Sequence, residues 1–197
     1  MRQHVLKLNE RVTNMQRILS ILLLLLAACS TSRPTMTNNT SGASDFAKLT
    51  DDLLYGSLAL SPVGATQAGY HEHSGIQLDE LLDDYSPAGI DTQRRFYEDF
   101  QSRVNALNSS VLDKEQRADL EIIKNDLNLA LLELNTIQGY KHNPTVYVEL
   151  TGNALFAPYV LEYAPKDRRY QHIIRRLEKI PTLFAQAKAN LVDAPEV

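Results

Sequence analysis

Apolar residues recur at helical spacing through most of the chain after residue 44. Phe46, Leu49, Leu53 and Leu54 share one face. They predict an amphipathic helix that Ser44 or Asp45 can cap and that runs to about Leu60. Ser61-Pro62 ends it, because the residue before a proline is steered away from helical angles. A short turn of helix is predicted over Val63 to Gln67. Gly69 to Tyr85 holds Gly69, Gly75 and several acids with no sustained period, and reads as an ordered loop.

Ser86-Pro87 reads as an N-cap followed by a first helical residue, where proline's missing N–H costs nothing. Gln93, Tyr97, Phe100, Val104 and Leu107 then line a helix ending near Asn108. Asp113 and Gln116 resemble a capping box that opens the strongest helix. Its stripe is Leu120, Ile123, Leu127, Leu131 and Leu134. Ile122, Leu129 and Leu132 widen that stripe almost all round, which predicts a central, buried helix terminated by Gly139. Asn143-Pro144 restarts the chain, and Val146, Leu150 and Ala154 fit a helix to about Phe156. The β-branched Thr145, Val146 and Val148 leave a short strand as the alternative. Pro158 and Pro165 bracket a connecting segment. From Lys166, the residues Tyr170, Ile173, Ile174 and Leu177 form a helix face, and Pro181 breaks it. Leu183, Phe184, Ala187 and Leu191 continue a second limb to about Val192. The expectation is an all-α bundle of about five to seven helices spanning residues 45–197.

Residues 29–44 carry Ser, Thr and Asn with Pro34 and Gly42 and no apolar period, and read as a flexible tether. Ahead of them lies the apolar run Ile18 to Cys29, preceded by Arg11 and Arg17. Its eleven residues to Ala28 fall short of the ~20 a membrane-spanning helix needs. The run ends Leu26-Ala27-Ala28-Cys29, which resembles the lipobox of bacterial lipoproteins. The resemblance implies a signal peptide over residues 1–28, cleavage between Ala28 and Cys29, and a lipidated Cys29 sulfur holding the protein to a membrane. Start sites at Met1 and Met15 both fit such a leader. Ser30 is not the aspartate that resembles an inner-membrane retention signal, so the expected location is the outer membrane, facing the periplasm, in a Gram-negative source.

Loss of residues 1–28 would remove four of the 20 basic residues and one of the 24 acids, leaving 169 residues with a net charge of −7. That balance argues against nucleic acid as a partner. Cys29 is the one cysteine, which excludes a disulfide within the chain and a cysteine-based zinc site. No Gly-x-Ser-x-Gly elbow, P-loop or dinucleotide glycine pattern occurs.

Two clusters remain as candidate chemistry. His71-Glu72 begins the pattern in which two histidines one helical turn apart hold zinc, but Gly75 stands where the second histidine belongs. His71 and His73 on an extended loop, with Asp79 or Glu80 supplying oxygen, form a weaker metal candidate. A polar loop in which His71 bonds nearby backbone is the favoured reading. Arg168, His172, Arg175 and Lys179 share a helix face and present Arg168 and Arg175 as a candidate anion site. A solvated face paired with Glu178 and other acids explains them more simply. Tyr140, Tyr147, Tyr159, Tyr163 and Tyr170 crowd one region, where packing is a simpler account than a ligand groove.

Pro62, Ala65, Thr66, Gly69 and His71, followed by Asp84 and Ser86, resemble the opening of the bacterial domain-of-unknown-function 885 family. Asp119-Leu120, Asn143-Pro144 with Tyr147, Arg176-Leu177, Ile180-Pro181, Ala187 and Asn190-Leu191 continue the likeness in order. The resemblance implies the N-terminal portion of a larger, mainly helical, zincin-like fold and a metal-dependent peptidase or amide hydrolase. The family's His-Glu…Pro-Gly-His motif lies in a later part not contained in this sequence. No catalytic residue is therefore carried onto any position here, no cofactor is expected in this chain, and zinc is expected only in a full-length relative. The alternative is a non-enzymatic helical lipoprotein that binds an envelope partner.

Overall fold

The structure, a computed structural model, describes residues 40–192. The expected signal peptide, the lipidated Cys29 and most of the tether lie outside the described residues, as do residues 193–197.

The described chain is all-α, with six helices of eleven residues or more. Helix α1 spans Thr40–Leu60, and the single-turn α2 spans Pro62–Gln67. Helix α3 covers Pro87–Asn105 and α4 covers Lys114–Leu132. A second single-turn helix, α5, is Gly139–His142, followed by α6 over Thr145–Val160. Helices α7 (Lys166–Leu177) and α8 (Ile180–Asn190) complete the order. Helix α1 starts at Thr40, so the last residues of the expected tether are helical, and Ser44 and Asp45 lie inside the helix instead of capping it.

Two start signals act as the sequence predicts. The Ser86 hydroxyl accepts from the Gly89 N–H at 3.1 Å. Asp113 and Gln116 form a reciprocal capping box, with bonds of 2.8 and 3.1 Å. Each satisfies amide groups that a helix start leaves without partners.

The stop signals differ. Helix α4 runs into a π-helical turn, Glu133–Ile137, and Gln138 takes the left-handed conformation (φ +50°) expected of Gly139, which instead begins α5. Pro158 does not end α6 but sits inside it, so the expected connecting segment begins only after Val160 and the alternative strand does not form. The expected loop after Gly69 contains a two-residue hairpin, β1 (Glu72–His73) against β2 (Ile76–Gln77). Ser74 and Gly75, both at positive φ, make its turn, the pairing of angles that matches the twist of a tight hairpin. A 3-10 turn, Leu78–Glu80, follows.

Phe46, Leu49, Phe100, Val104, Leu112, Leu120 and Leu127 form one core, joining α1, α3 and α4. A second joins Tyr147 of α6 to Leu183 and Ala187 of α8, with Leu82, Tyr85, Tyr140, Leu150 and Leu191 around them. The expectation that α4 is buried all round is not met: Ile122 and Leu129 are more than half exposed. Only Leu120 and Leu127 of that helix are fully buried, and its second apolar side meets no other described element closely enough to bury it.

Helix α7 reverses its predicted orientation. Tyr170, Ile174 and Leu177, expected to face the core, are 37%, 45% and 47% exposed, whereas Arg169, His172 and Arg176 are buried. Apolar periodicity found the correct helix but assigned it the wrong inward face. The physical reason lies in what those three polar side chains touch.

Candidate functional site

Proline inside a helix removes the amide that would bond the carbonyl four residues earlier. In α6 that carbonyl belongs to Ala154, opposite Pro158. Arg176 Nη1 of α7 donates to it at 2.9 Å, a guanidinium in place of the missing amide. The rest of this fully buried side chain is spent similarly. Nε donates to the Leu81 carbonyl at 3.0 Å, and Nη2 reaches the Thr66 hydroxyl at 2.6 Å and the carbonyls of Pro62 and Leu78. One side chain thereby ties α2, the 3-10 turn with Leu81 just after it, and α6 onto α7. Burial is the main influence lowering the Arg176 pKa, opposed by Asp79, Tyr163 and Asp83.

Arg169 does the related job at the end of α6. Its Nη1 donates to the carbonyls of Pro158 and Tyr159, both at 2.8 Å, and its Nε to that of Ala164 at 3.0 Å. A cation here also suits the negative end of the helix.

Beneath Arg176 lies Asp79, 1% exposed. Its Oδ1 accepts from the Thr66 hydroxyl at 2.7 Å and from His71 Nδ1 at 3.0 Å, and its Oδ2 accepts from the Gln77 amide at 3.0 Å. His172 Nδ1 lies 3.6 Å from that same Oδ2 and 3.0 Å from the Tyr163 hydroxyl. The Tyr163 ring stacks on His71, with centroids 4.3 Å apart. Burial pushes the Tyr163 phenol up to about 12, Asp79 adds to the shift, and nearby arginines oppose it. The phenol thus keeps its proton and can donate it to a neutral imidazole. Nearby, Asp83 accepts from the Val63 N–H at 3.0 Å and the Ser61 hydroxyl at 2.7 Å, capping α2, while burial raises its carboxyl pKa. Among the described residues, no buried side-chain nitrogen or oxygen lacks a partner.

The candidates named from sequence separate in space. His71 joins the buried knot through the side chain of Asp79, one of the two acids named from sequence, and its Nδ1 bonds that carboxylate instead of the nearby backbone that the favoured polar-loop reading expects. His73 turns away and pairs with the Tyr70 hydroxyl at 2.8 Å. Among the described residues no group of three or more His, Cys, Asp or Glu side chains is placed to hold a metal. No metal chemistry is derived from them. The four-residue anion face also divides. Arg168 bonds the Gln77 side-chain oxygen at 3.2 Å, Arg175 pairs with Glu178 at 3.2 Å in solvent, and His172 is buried. The tyrosines divide too: Tyr147 is core and hydrogen-bonds the Tyr140 carbonyl at 2.7 Å, while Tyr159 is largely exposed. Sequence reasoning gave Arg169 no role and named Arg176 only within the family likeness. The signal that could have found them is Pro158, which leaves a carbonyl without its amide.

His172 makes the knot acid-sensitive. Burial lowers its pKa below 6.5; Asp79 and Glu80 counter this, while Arg168 and Arg176 add to it. The unfolded chain takes up a proton at the ordinary value, but the folded chain takes it up only at lower pH. Stability from this group is therefore intact above about pH 6.5 and falls as pH drops below it. Thermal melts from pH 7.5 to 5 should show a falling Tm. His172→Asn, which keeps an acceptor for Tyr163, should make that slope shallower; an unchanged slope would remove His172 as its source.

The family model described as "Bacterial protein of unknown function (DUF885)" matches residues 62–196. The chain belongs to this family. The match begins at Pro62 of α2 and so takes in every residue of the knot. Among solved structures the chain is similar to one described as "a putative lipoprotein of unknown function from Shewanella oneidensis", with a TM-score of 0.66 at 22% identity. The similarity covers 75% of this chain and 26% of that one, so this chain spans about a quarter of the neighbour's length. It shows that the helical arrangement is shared. Comparison with curated proteins gave no match.

Proposed function

We propose that this is a lipid-anchored envelope protein whose helical domain forms one wall of a larger family fold, with hydrolysis of peptides or related amides carried out by residues outside that domain. The observation that carries the wall reading is the closed state of the polar knot. Arg176, Arg169, Asp79 and Thr66 bond carbonyls and one another, so their polarity supports the backbone and presents no nucleophile or paired acid and base to a substrate. The anchor reading rests on Leu26-Ala27-Ala28-Cys29, and the neighbour described as a lipoprotein agrees with it. No described helix is long and apolar enough to cross a membrane, so within this reading attachment falls to the Cys29 lipid. Two or three acyl chains hold a protein firmly where one does not.

Cells expressing the full chain and fed labelled palmitate should yield a labelled protein, and Cys29→Ala should lose the label and leave the membrane fraction. Equal labelling of wild type and variant would overturn the anchor. For the hydrolytic part, reading the coding DNA downstream of Val197 should reveal a His-Glu…Pro-Gly-His segment, whereas unrelated sequence would count against it. The second reading, a non-enzymatic lipoprotein that binds an envelope partner, expects a bundle without a large exposed apolar patch, and the apolar residues left exposed on α6 and α7 count against it.

A further inference from the structure

Helices α1 and α4 leave a cleft of about 330 Å³ between them, walled also by Tyr97 of α3. The space exists because positions facing it carry small side chains, Thr50 and Ser57 on α1 and Ala130 on α4. Its volume is at the lower end of the roughly 300–1,000 Å³ found for small-molecule sites. At about 30 Å³ per water-sized group it holds a body of about ten heavy atoms. Leu53, Ile123 and the fully buried Leu127 give it an apolar lining that favours hydrocarbon over water.

The polar groups of the lining carry no positive charge. Thr50 Oγ1 donates to the Phe46 carbonyl at 2.9 Å, and Ser57 Oγ donates to that of Leu54 at 2.9 Å. Both hydroxyl protons are spent within α1, so these oxygens offer the cleft lone pairs. Asp126 of α4 adds a carboxylate that is exposed and has no hydrogen bond or ion pair among the described residues. Tyr97 keeps its phenolic proton, because burial raises its pKa, and adds no charge. No Lys, Arg or His lines the cleft. Lys124, two residues from Asp126 and so turned to the other side of α4, is bonded to Glu121 at 2.7 Å. Asp51, one turn before Leu54 in the lining, and Asp119, two turns before Asp126, are exposed and put the same sign along both edges.

We propose that this cleft is a binding site for a small amphiphilic organic cation. Its ammonium pairs with Asp126, with the two hydroxyl oxygens as further acceptors, and its hydrocarbon body displaces water from Leu53, Ile123 and Leu127. A carboxylate or phosphate ligand finds no cation here. The proposal stands apart from the anchor and wall readings, and its failure would leave both untouched.

The test follows the methyl NMR signals of Leu53 and Ile123 in the full chain during titration with octylamine, octan-1-ol and octanoate. These share a chain and differ in head group. Octylamine should bind at least about tenfold more tightly than octanoate, because attraction to Asp126 is replaced by repulsion, with octanol between them. Asp126→Asn should weaken octylamine about fivefold, the upper end for an exposed ion pair, and leave octanol and Tm unchanged. Ala130→Leu should abolish binding of all three. If that variant lowers Tm, Ser57→Leu fills the cleft from the other helix and should do the same. Failure of octylamine to bind, affinity equal to that of octanoate, or indifference to Asp126→Asn overturns the proposal. So does octylamine binding that survives both filling variants. A dimer in sedimentation that Ala130→Leu disperses also overturns it, since the occupant would then be a second copy of the chain.

Discussion

Arg176→Met is expected to cost at least about 3–5 kcal/mol, the range for removing one partner from a buried charged network. Single domains have roughly 5–15 kcal/mol in total, so the variant should lose its cooperative urea transition or show it at a much lower midpoint, as read by circular dichroism. Methionine fills much of the volume of the arginine stem, so the loss is not chiefly a cavity. It comes chiefly from the carbonyls of Ala154 and Leu81, left dry and without the guanidinium; the Pro62 and Leu78 carbonyls lose Nη2 but keep the Thr66 hydroxyl and the Leu81 N–H. Each buried acceptor stripped of its donor costs about 1–3 kcal/mol. The usual remedy of replacing a buried ion pair by hydrocarbon is not open here, because most of the partners are backbone. Arg176→Lys should restore little, since one ammonium cannot span acceptors on separate segments. A midpoint within experimental error of wild type would refute the keystone role.

Asp79→Ala should be the next most damaging change, at about 3 kcal/mol. It takes an acceptor from three groups at once, leaving the Thr66 hydroxyl only the Pro62 carbonyl, the Gln77 amide only the His71 carbonyl and His71 Nδ1 without its carboxylate, and deprives Arg176 of the negative charge behind Thr66. The knot is a relay, so the two losses should not add. Arg176→Met combined with Asp79→Ala should cost measurably less than the sum of the single variants, because each already removes part of what the other holds. Strict additivity in chemical denaturation would show that the two residues act independently and that Thr66 does not couple them.

How much of this was legible in sequence varies with the kind of signal. Helix starts were read correctly at Ser86 and Asp113 because capping is local, needing only a side chain and amides two or three residues away. The hairpin at Ser74-Gly75 was missed because strands of two residues are too short to show alternation. Helix α7 was placed correctly in the chain but turned the wrong way. Periodicity assumes that the inward face is the apolar one, and here the inward residues are Arg169, His172 and Arg176. The two arginines serve carbonyls on α6 and in α2, between 10 and 114 residues away, and no local pattern encodes that. The all-round apolar character of α4 likewise predicted burial without being able to say what would cover the second side. For the candidate site, the sequence brings His71, Asp79 and Glu80 into one loop but does not choose between the two acids, and the contribution of His172 depends on α7 docking over it.

The proline in α6 also bears on the order in which the chain assembles. A helix with an intact amide ladder can form before it finds its neighbours, but the turn at Ala154 closes only when a guanidinium arrives from the next helix, 22 residues on. The same guanidinium must meet Pro62, 114 residues back, and a closure that long costs more chain entropy than a local one. Helix α6 therefore does not mature by itself. Its last turns, α7 and the segment from Pro62 to Leu81 reach their final form together, which makes the remote contact a late and shared step of folding.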